Sequence, residues 1–234
     1  MSEKSTNKYA IVDLEATSAS STACIIQVGI VIMQNGRVID EFASDVNPHQ
    51  KLDNHIVHLT GITDQQLSQA PDFSEIARTI FELIEDCIFV AHNVKFDANL
   101  LAEALFMEGF ELRTPRVDTV ELAQVFYPTL EQYNLSYLSR VLNLDLAQAH
   151  TAIEDARATG KLLLHLMDKI ASLPRQTIDM LLTFSDNLLF ESELVIRDAI
   201  KGKTNSLSKE YIMLEESGIV LRRPCLLYTS PSPR

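Results

Sequence analysis

Two apolar runs joined by an Asn-Gly pair constrain this chain more than any other feature. Ile25-Ile26-Gln27-Val28-Gly29-Ile30-Val31-Ile32-Met33 ends at the turn Gln34-Asn35-Gly36, and a second run covers residues 37–46. Asn-Gly in that setting is a strong hairpin signal, because both residues accept the positive φ of a tight two-residue turn. Residues 9–14 read as a strand ahead of the hairpin. The unbroken apolar run Ala10-Ile11-Val12 marks it as a central strand buried on both faces. The connecting stretch after Asn47-Pro48 reads as a loop with short helices around Leu59-Thr60-Gly61-Ile62-Thr63.

Beyond it the period changes. Phe73, Ile76, Ala77, Ile80, Phe81 and Ile84 recur at helical spacing over residues 73–86. Residues 87–91 form a short buried strand, and a second helix is expected over 97–110. A short strand near Arg116-Val117 precedes helices over 118–126, 135–142 and 151–173, the last stopped by Pro174. This order predicts an α/β domain with a mixed five-stranded sheet flanked by helices. The sheet is antiparallel on the hairpin side and parallel where helices cross over.

The domain is expected over residues 7–173 of the 234, followed by a helical linker over 174–223 that leads to a missing downstream region. Residues 224–234 change character abruptly and read as a non-native tail. Net charge is −12, which argues against a protein that coats nucleic acid nonspecifically. It leaves room for one that grips a few nucleotides where metal ions neutralise phosphate. Cys24, Cys87 and Cys225 have no metal-ligand spacing; Cys24 and Cys87 are expected to be reduced and buried. No signal-like or membrane-length apolar stretch is visible, so a soluble, cytoplasmic protein without membrane contact is expected.

Three clusters carry chemistry. In Val12-Asp13-Leu14-Glu15-Ala16-Thr17, Asp13 and Glu15 share one face of a strand. Two such carboxylates ~4 Å apart repel by about 4 kcal/mol at an effective dielectric of 20, and a cation removes that repulsion. In His92-Asn93-Val94-Lys95-Phe96-Asp97, Asp97 taken alone reads as a helix cap and Phe96 as core. In His150-Thr151-Ala152-Ile153-Glu154-Asp155, Thr151 and Glu154 have the spacing of a capping box, which places Asp155 one turn into a helix and His150 on the loop before it. Asp118 with Glu121, and Asp72, read as caps. Carboxylate oxygens favour Mg²⁺ or Mn²⁺ over zinc.

Asp-x-Glu-x-Thr, then His-Asn-x-x-Phe-Asp, then His followed five residues later by Asp, resembles the DnaQ-like exonucleases of the DEDDh type, which have the RNase H-like fold. The resemblance covers residues 7–172 and includes Ile26-Gln27-Val28-Gly29. It implies 3′→5′ removal of nucleotides with two divalent ions. Carried over, the ligands are Asp13, Glu15, Asp97 and Asp155, and the general base is His150. Thr17 would lie near the terminal 3′-hydroxyl, and His92, Asn93 and Phe96 near the substrate. Many members have glycine after the threonine where this chain has Ser18. The helical tail is similar to that of DinG-type helicase fusions, which implies a single-stranded DNA 3′ end as substrate and a helicase domain as neighbour. Two alternatives stay open at this point: an exoribonuclease that trims short RNA or tRNA ends, and a noncatalytic module that docks onto a polymerase or helicase.

Overall fold

A computed structural model describes residues 7–18, 23–144 and 151–201. At its centre lies a five-stranded sheet in the order β3-β2-β1-β4-β5. The strands are β1 (Lys8–Ala16), β2 (Ile25–Gln34), β3 (Arg37–Asp45), β4 (Ile88–Ala91) and β5 (Arg116–Asp118). β1, β2 and β3 pair antiparallel, whereas β4 pairs parallel with both β1 and β5. This is the mixed sheet the sequence predicts. Asn35 and Gly36 turn the hairpin with φ of 52° and 72°, the left-handed values that Asn and Gly adopt most readily.

Nine α-helices are described: α1 (Asn54–Thr60), α2 (Asp64–Leu67), α3 (Phe73–Ile84), α4 (Val94–Met107), α5 (Thr119–Phe126), α6 (Leu135–Val141), α7 (Ala152–Ser172), α8 (Arg175–Phe184) and α9 (Glu193–Lys201). Alternation along β1 sorts them into two layers. Tyr9 and Ile11 pack with Ala156, Leu163 and Leu166 of α7, while Ala10, Val12 and Leu14 pack with Ile80 of α3 and Leu101 of α4. Asp13 and Glu15 continue the series of Tyr9 and Ile11, so they belong to the α7 side of the sheet.

Several local expectations are revised. Helix α4 starts at Val94, three residues before the expected Asp97, because Asn93 adopts a left-handed conformation (φ 73°, ψ 56°) and turns the chain into the helix at once. Asp97 therefore sits inside the first turn and is not a cap. Cys87 is buried as expected, but Cys24 is only partly so; both are free thiols, and Cys225 lies outside the described residues. Thr151 caps α7 by accepting the Glu154 N–H, yet the Glu154 carboxylate pairs with Arg157 instead of completing a capping box.

The segment expected as a linker packs onto the domain as far as the described residues extend. Val195 and Ile196 of α9 are buried in the α7-side core. Asp198, also buried, accepts hydrogen bonds from Tyr9 Oη at 2.7 Å and Asn7 Nδ2 at 2.9 Å and pairs with Lys201 at 2.6 Å. Arg116 N–H donates to Glu191 Oε2, and Glu191 N–H donates to Arg116 O, both at 2.9 Å, which ties this segment to the free edge of β5. The remaining residues, 202–234, including the tail expected to be non-native, lie outside the described residues. Among the described residues no helix is long and apolar enough to cross a membrane.

Candidate metal centre

Strand β1 is longer than its neighbour β4, and that difference creates the site. The parallel pairing runs from Tyr9↔Ile88 to Ile11↔Val90 and stops, leaving the end of β1 without a strand on that side. Asp97 takes the vacant place: its Oδ1 accepts the Leu14 N–H at 3.0 Å. Leu14 lies between Asp13 and Glu15, so this bond brings the α4 carboxylate to the acid pair. Asp97 is only 5% exposed.

Helix α7 delivers the fourth carboxylate. Ligand oxygens of Asp13, Glu15 and Asp155 all lie within 4.8 Å of one another. Two residues of β2, which pair with Glu15 and Asp13 across the strands, allow this approach. Gln27 Oε1 accepts the Ala152 N–H at 2.8 Å, and its Nε2 donates to Asp45 Oδ1 at 2.7 Å, which pins the first turn of α7 to the sheet. Gly29 gives that turn room: a Cβ there would lie 2.2 Å from the Ala152 carbonyl carbon and 2.3 Å from the Ile153 nitrogen. In the sequence both residues read as strand positions with no role of their own. The signal available was a polar Gln and a Gly interrupting an apolar strand.

The other site residues named from sequence have the following surroundings. Thr17 Oγ1 accepts hydrogen bonds from Cys24 N–H at 3.0 Å and Gln50 Nε2 at 3.3 Å. His92 Nε2 donates to Tyr133 O at 2.7 Å, and its Nδ1 bonds Thr119 Oγ1 at 2.9 Å, so both ring nitrogens are engaged within the domain. Burial lowers its pKa and favours the neutral ring. Asn93 is exposed, and Phe96 is half-buried. His150 lies outside the described residues; Thr151, directly after it, caps α7.

The carboxylates are held against their own preference. Asp13 is pushed well above the usual carboxylate range by burial first and then by Asp97, Asp155 and Glu15. Asp97 is pushed up to about 7, chiefly by burial, although the Leu14 N–H opposes the shift. Acids that ionise this reluctantly in the folded state suit a site whose charge balance is completed by a cation. The all-oxygen donor set fits Mg²⁺ or Mn²⁺.

A stability prediction follows from the sign of these shifts. Folded-state pKa values above the ordinary ~3.9 mean that the folded chain keeps protons the unfolded chain has released. The Asp97 contribution is complete below pH ~3.9 and is lost as pH rises through about 7; Asp13 acts in the same direction. The metal-free protein should therefore lose Tm between pH 4 and 8 by on the order of 5 °C, the shift that ~2 kcal/mol produces in a domain of this size. Mn²⁺ at pH 8 should restore it. Thermal melts in chelator and in Mn²⁺ check this, and a flat metal-free profile would contradict it.

Comparison with known proteins gives the family and the fold. The pattern of the exonuclease family matches residues 10–163. The 3′-5′ exonuclease DinG of Staphylococcus aureus strain USA300 is 35% identical over 211 residues, covering 89% of this chain and 24% of that protein. The chain thus spans about a quarter of the length of the curated relatives it matches. The nuclease domain of 3′hExo, a DEDDh family member solved with rAMP, aligns with a TM-score of 0.60 at 16% identity, over 69% of this chain and 92% of that one. Exonuclease X, solved with 5′ overhanging duplex DNA, aligns with a TM-score of 0.56 at 20% identity, over 68% of this chain and 91% of that one. Those two structures share the fold. The family match begins in β1 just before Asp13 and ends in α7 just beyond Asp155, so it spans all four acids gathered here. By that match this chain belongs to the exonuclease family.

Proposed function

We propose that this domain hydrolyses the terminal phosphodiester at the 3′ end of single-stranded DNA and releases nucleoside 5′-monophosphates one at a time. The observation that carries this reading is the convergence of Asp13, Glu15 and Asp155 within 4.8 Å, with Asp97 fastened to the backbone between the first two. These four carboxylates would hold two divalent cations, Mg²⁺ or Mn²⁺. When bound, such ions supply Lewis-acid polarisation and neutralise charge at the phosphate.

The chain's own residues supply the rest. A strand and two helices fix the carboxylates, so little reorganisation is needed when substrate arrives. By the family resemblance Thr17, Asn93 and Phe96 would orient the terminal nucleotide, while His92, bonded to Thr119 and Tyr133, steadies the turn that carries Asn93. His150, in its neutral form, would take the proton from the attacking water as the new P–O bond forms, while the bond to the 3′-oxygen of the preceding nucleotide breaks and that oxygen takes a proton from solvent to leave as a hydroxyl. A helicase-like neighbour further along the full-length protein would present the single strand.

DNA as substrate follows from the resemblance to DinG-type fusions. Turnover of 5′-labelled DNA and RNA oligonucleotides of one sequence tests it. DNA should be shortened at least tenfold faster. Equal or faster shortening of RNA would move the reading to the exoribonuclease class.

A further inference from the structure

Asp118 reads in the sequence as the cap of α5 and nothing more. In the fold, a single carboxylate oxygen of Asp118 serves two elements. Oδ1 accepts the Val120 N–H at 2.8 Å, which caps α5, and also the Asn93 N–H at 3.0 Å, which lies at the entrance to α4. Asp118 is 6% exposed, and β5 sets it directly beside Ala91, the last residue of β4. Asn93 stands two residues beyond Ala91 in the left-handed conformation that turns the chain into α4. Asp97 follows within the first turn of that helix and reaches the Leu14 N–H. The neighbouring His92–Thr119 hydrogen bond at 2.9 Å fastens the same turn to the start of α5.

We propose that Asp118 is a positioning residue for the metal centre: by holding the Asn93 N–H it sets where α4 begins, and so where Asp97 stands relative to Asp13, Glu15 and Asp155. The proposal rests on the reading of those four acids as metal ligands. Asp118 stands outside the Asp13–Glu15–Asp155 group. With two N–H donors already on Oδ1, its role is to fix backbone. Asparagine enters the left-handed region readily, and the bond from Asp118 fixes the point in the chain at which it does so. Partners that orient ligands from outside the coordination sphere typically govern metal affinity by 10–100-fold.

Two substitutions separate this role from simple capping. Asp118→Asn keeps an acceptor oxygen of the same reach and removes the charge. Asp118→Ser keeps a good N-cap for α5 but is too short to reach Asn93 as well. Mn²⁺ binding, measured by electron paramagnetic resonance of the free ion on protein whose fold is checked by circular dichroism, gives a readout that is independent of turnover. Asp118→Asn should bind within about threefold of wild type, and Asp118→Ser about tenfold or more weaker, with KM for an oligonucleotide changed less than the turnover number. Wild-type affinity in a folded Asp118→Ser overturns this proposal alone. A wild-type chain that binds no Mn²⁺ overturns it together with the nuclease reading.

Discussion

Replacing Asp155 by alanine should abolish turnover and at the same time raise the stability of the metal-free protein. The two effects have one cause. Asp155 stands within 4.8 Å of Asp13 and Glu15, and its charge is among those that push Asp13 upward. Without metal that crowding is unfavourable, and deleting one carboxylate relieves it. With metal the same carboxylate is a ligand, and its loss should slow turnover by roughly a thousandfold or more, about 4 kcal/mol of transition-state stabilisation. Asp13→Ala should lose activity equally. His150→Ala is expected to differ, slowing turnover by roughly 10²–10⁴-fold, the usual worth of a general base, while still binding Mn²⁺. Single-turnover rates with saturating Mn²⁺, set beside melts in chelator, measure both effects. A tenth of wild-type activity in Asp155→Ala would refute the ligand assignment.

The second large effect is expected at a residue with no side chain. Gly29→Ala would place a methyl 2.2–2.3 Å from the backbone of Ala152 and Ile153. Backbone atoms cannot rotate aside, so the first turn of α7 must move by about an ångström to reach ordinary contact, taking Asp155 with it. A displacement of that size typically costs about 100-fold in rate, and overpacking adds ~1–3 kcal/mol of destabilisation. Gly160→Ala supplies the control on the same helix. There the nearest atom is the Met33 sulfur at 3.0 Å, part of a flexible side chain that can give by a few tenths of an ångström where backbone cannot. Alanine also gains ~1 kcal/mol over glycine in a helix interior. Gly160→Ala should stay near wild type in both rate and Tm. Equal behaviour of the two variants would show that the approach of α7 to β2 does not set the geometry of the centre.

What the sequence made legible follows from the range of each interaction. The hairpin was readable because Asn35-Gly36 and the two apolar runs are local signals. The Asp13–Glu15 pair was readable because strand alternation alone puts both on one side. Contacts between residues far apart in the chain were readable only where the family resemblance supplied them, as for Asp155 beside Asp13 and Glu15. The start of α4 was misplaced because the left-handed Asn93 is held by Asp118, 25 positions away. Gly29 looked like one more strand residue because the helix turn that crowds it lies at the other end of the domain. The packing of α9 was likewise hidden, since Asp198 meets Tyr9 across 189 positions.

In the proposed function the acid cluster serves a metal-dependent exonuclease that acts from the 3′ end. A timed digestion of one DNA single strand, labelled at the 5′ end in one sample and the 3′ end in another, tests it most directly. In Mn²⁺ the 5′ label should descend as a ladder in steps of one nucleotide, and the 3′ label should leave at once as a mononucleotide. Chelator should stop both. A ladder from the 3′ label, release of longer fragments, or undiminished digestion in excess chelator would contradict the account.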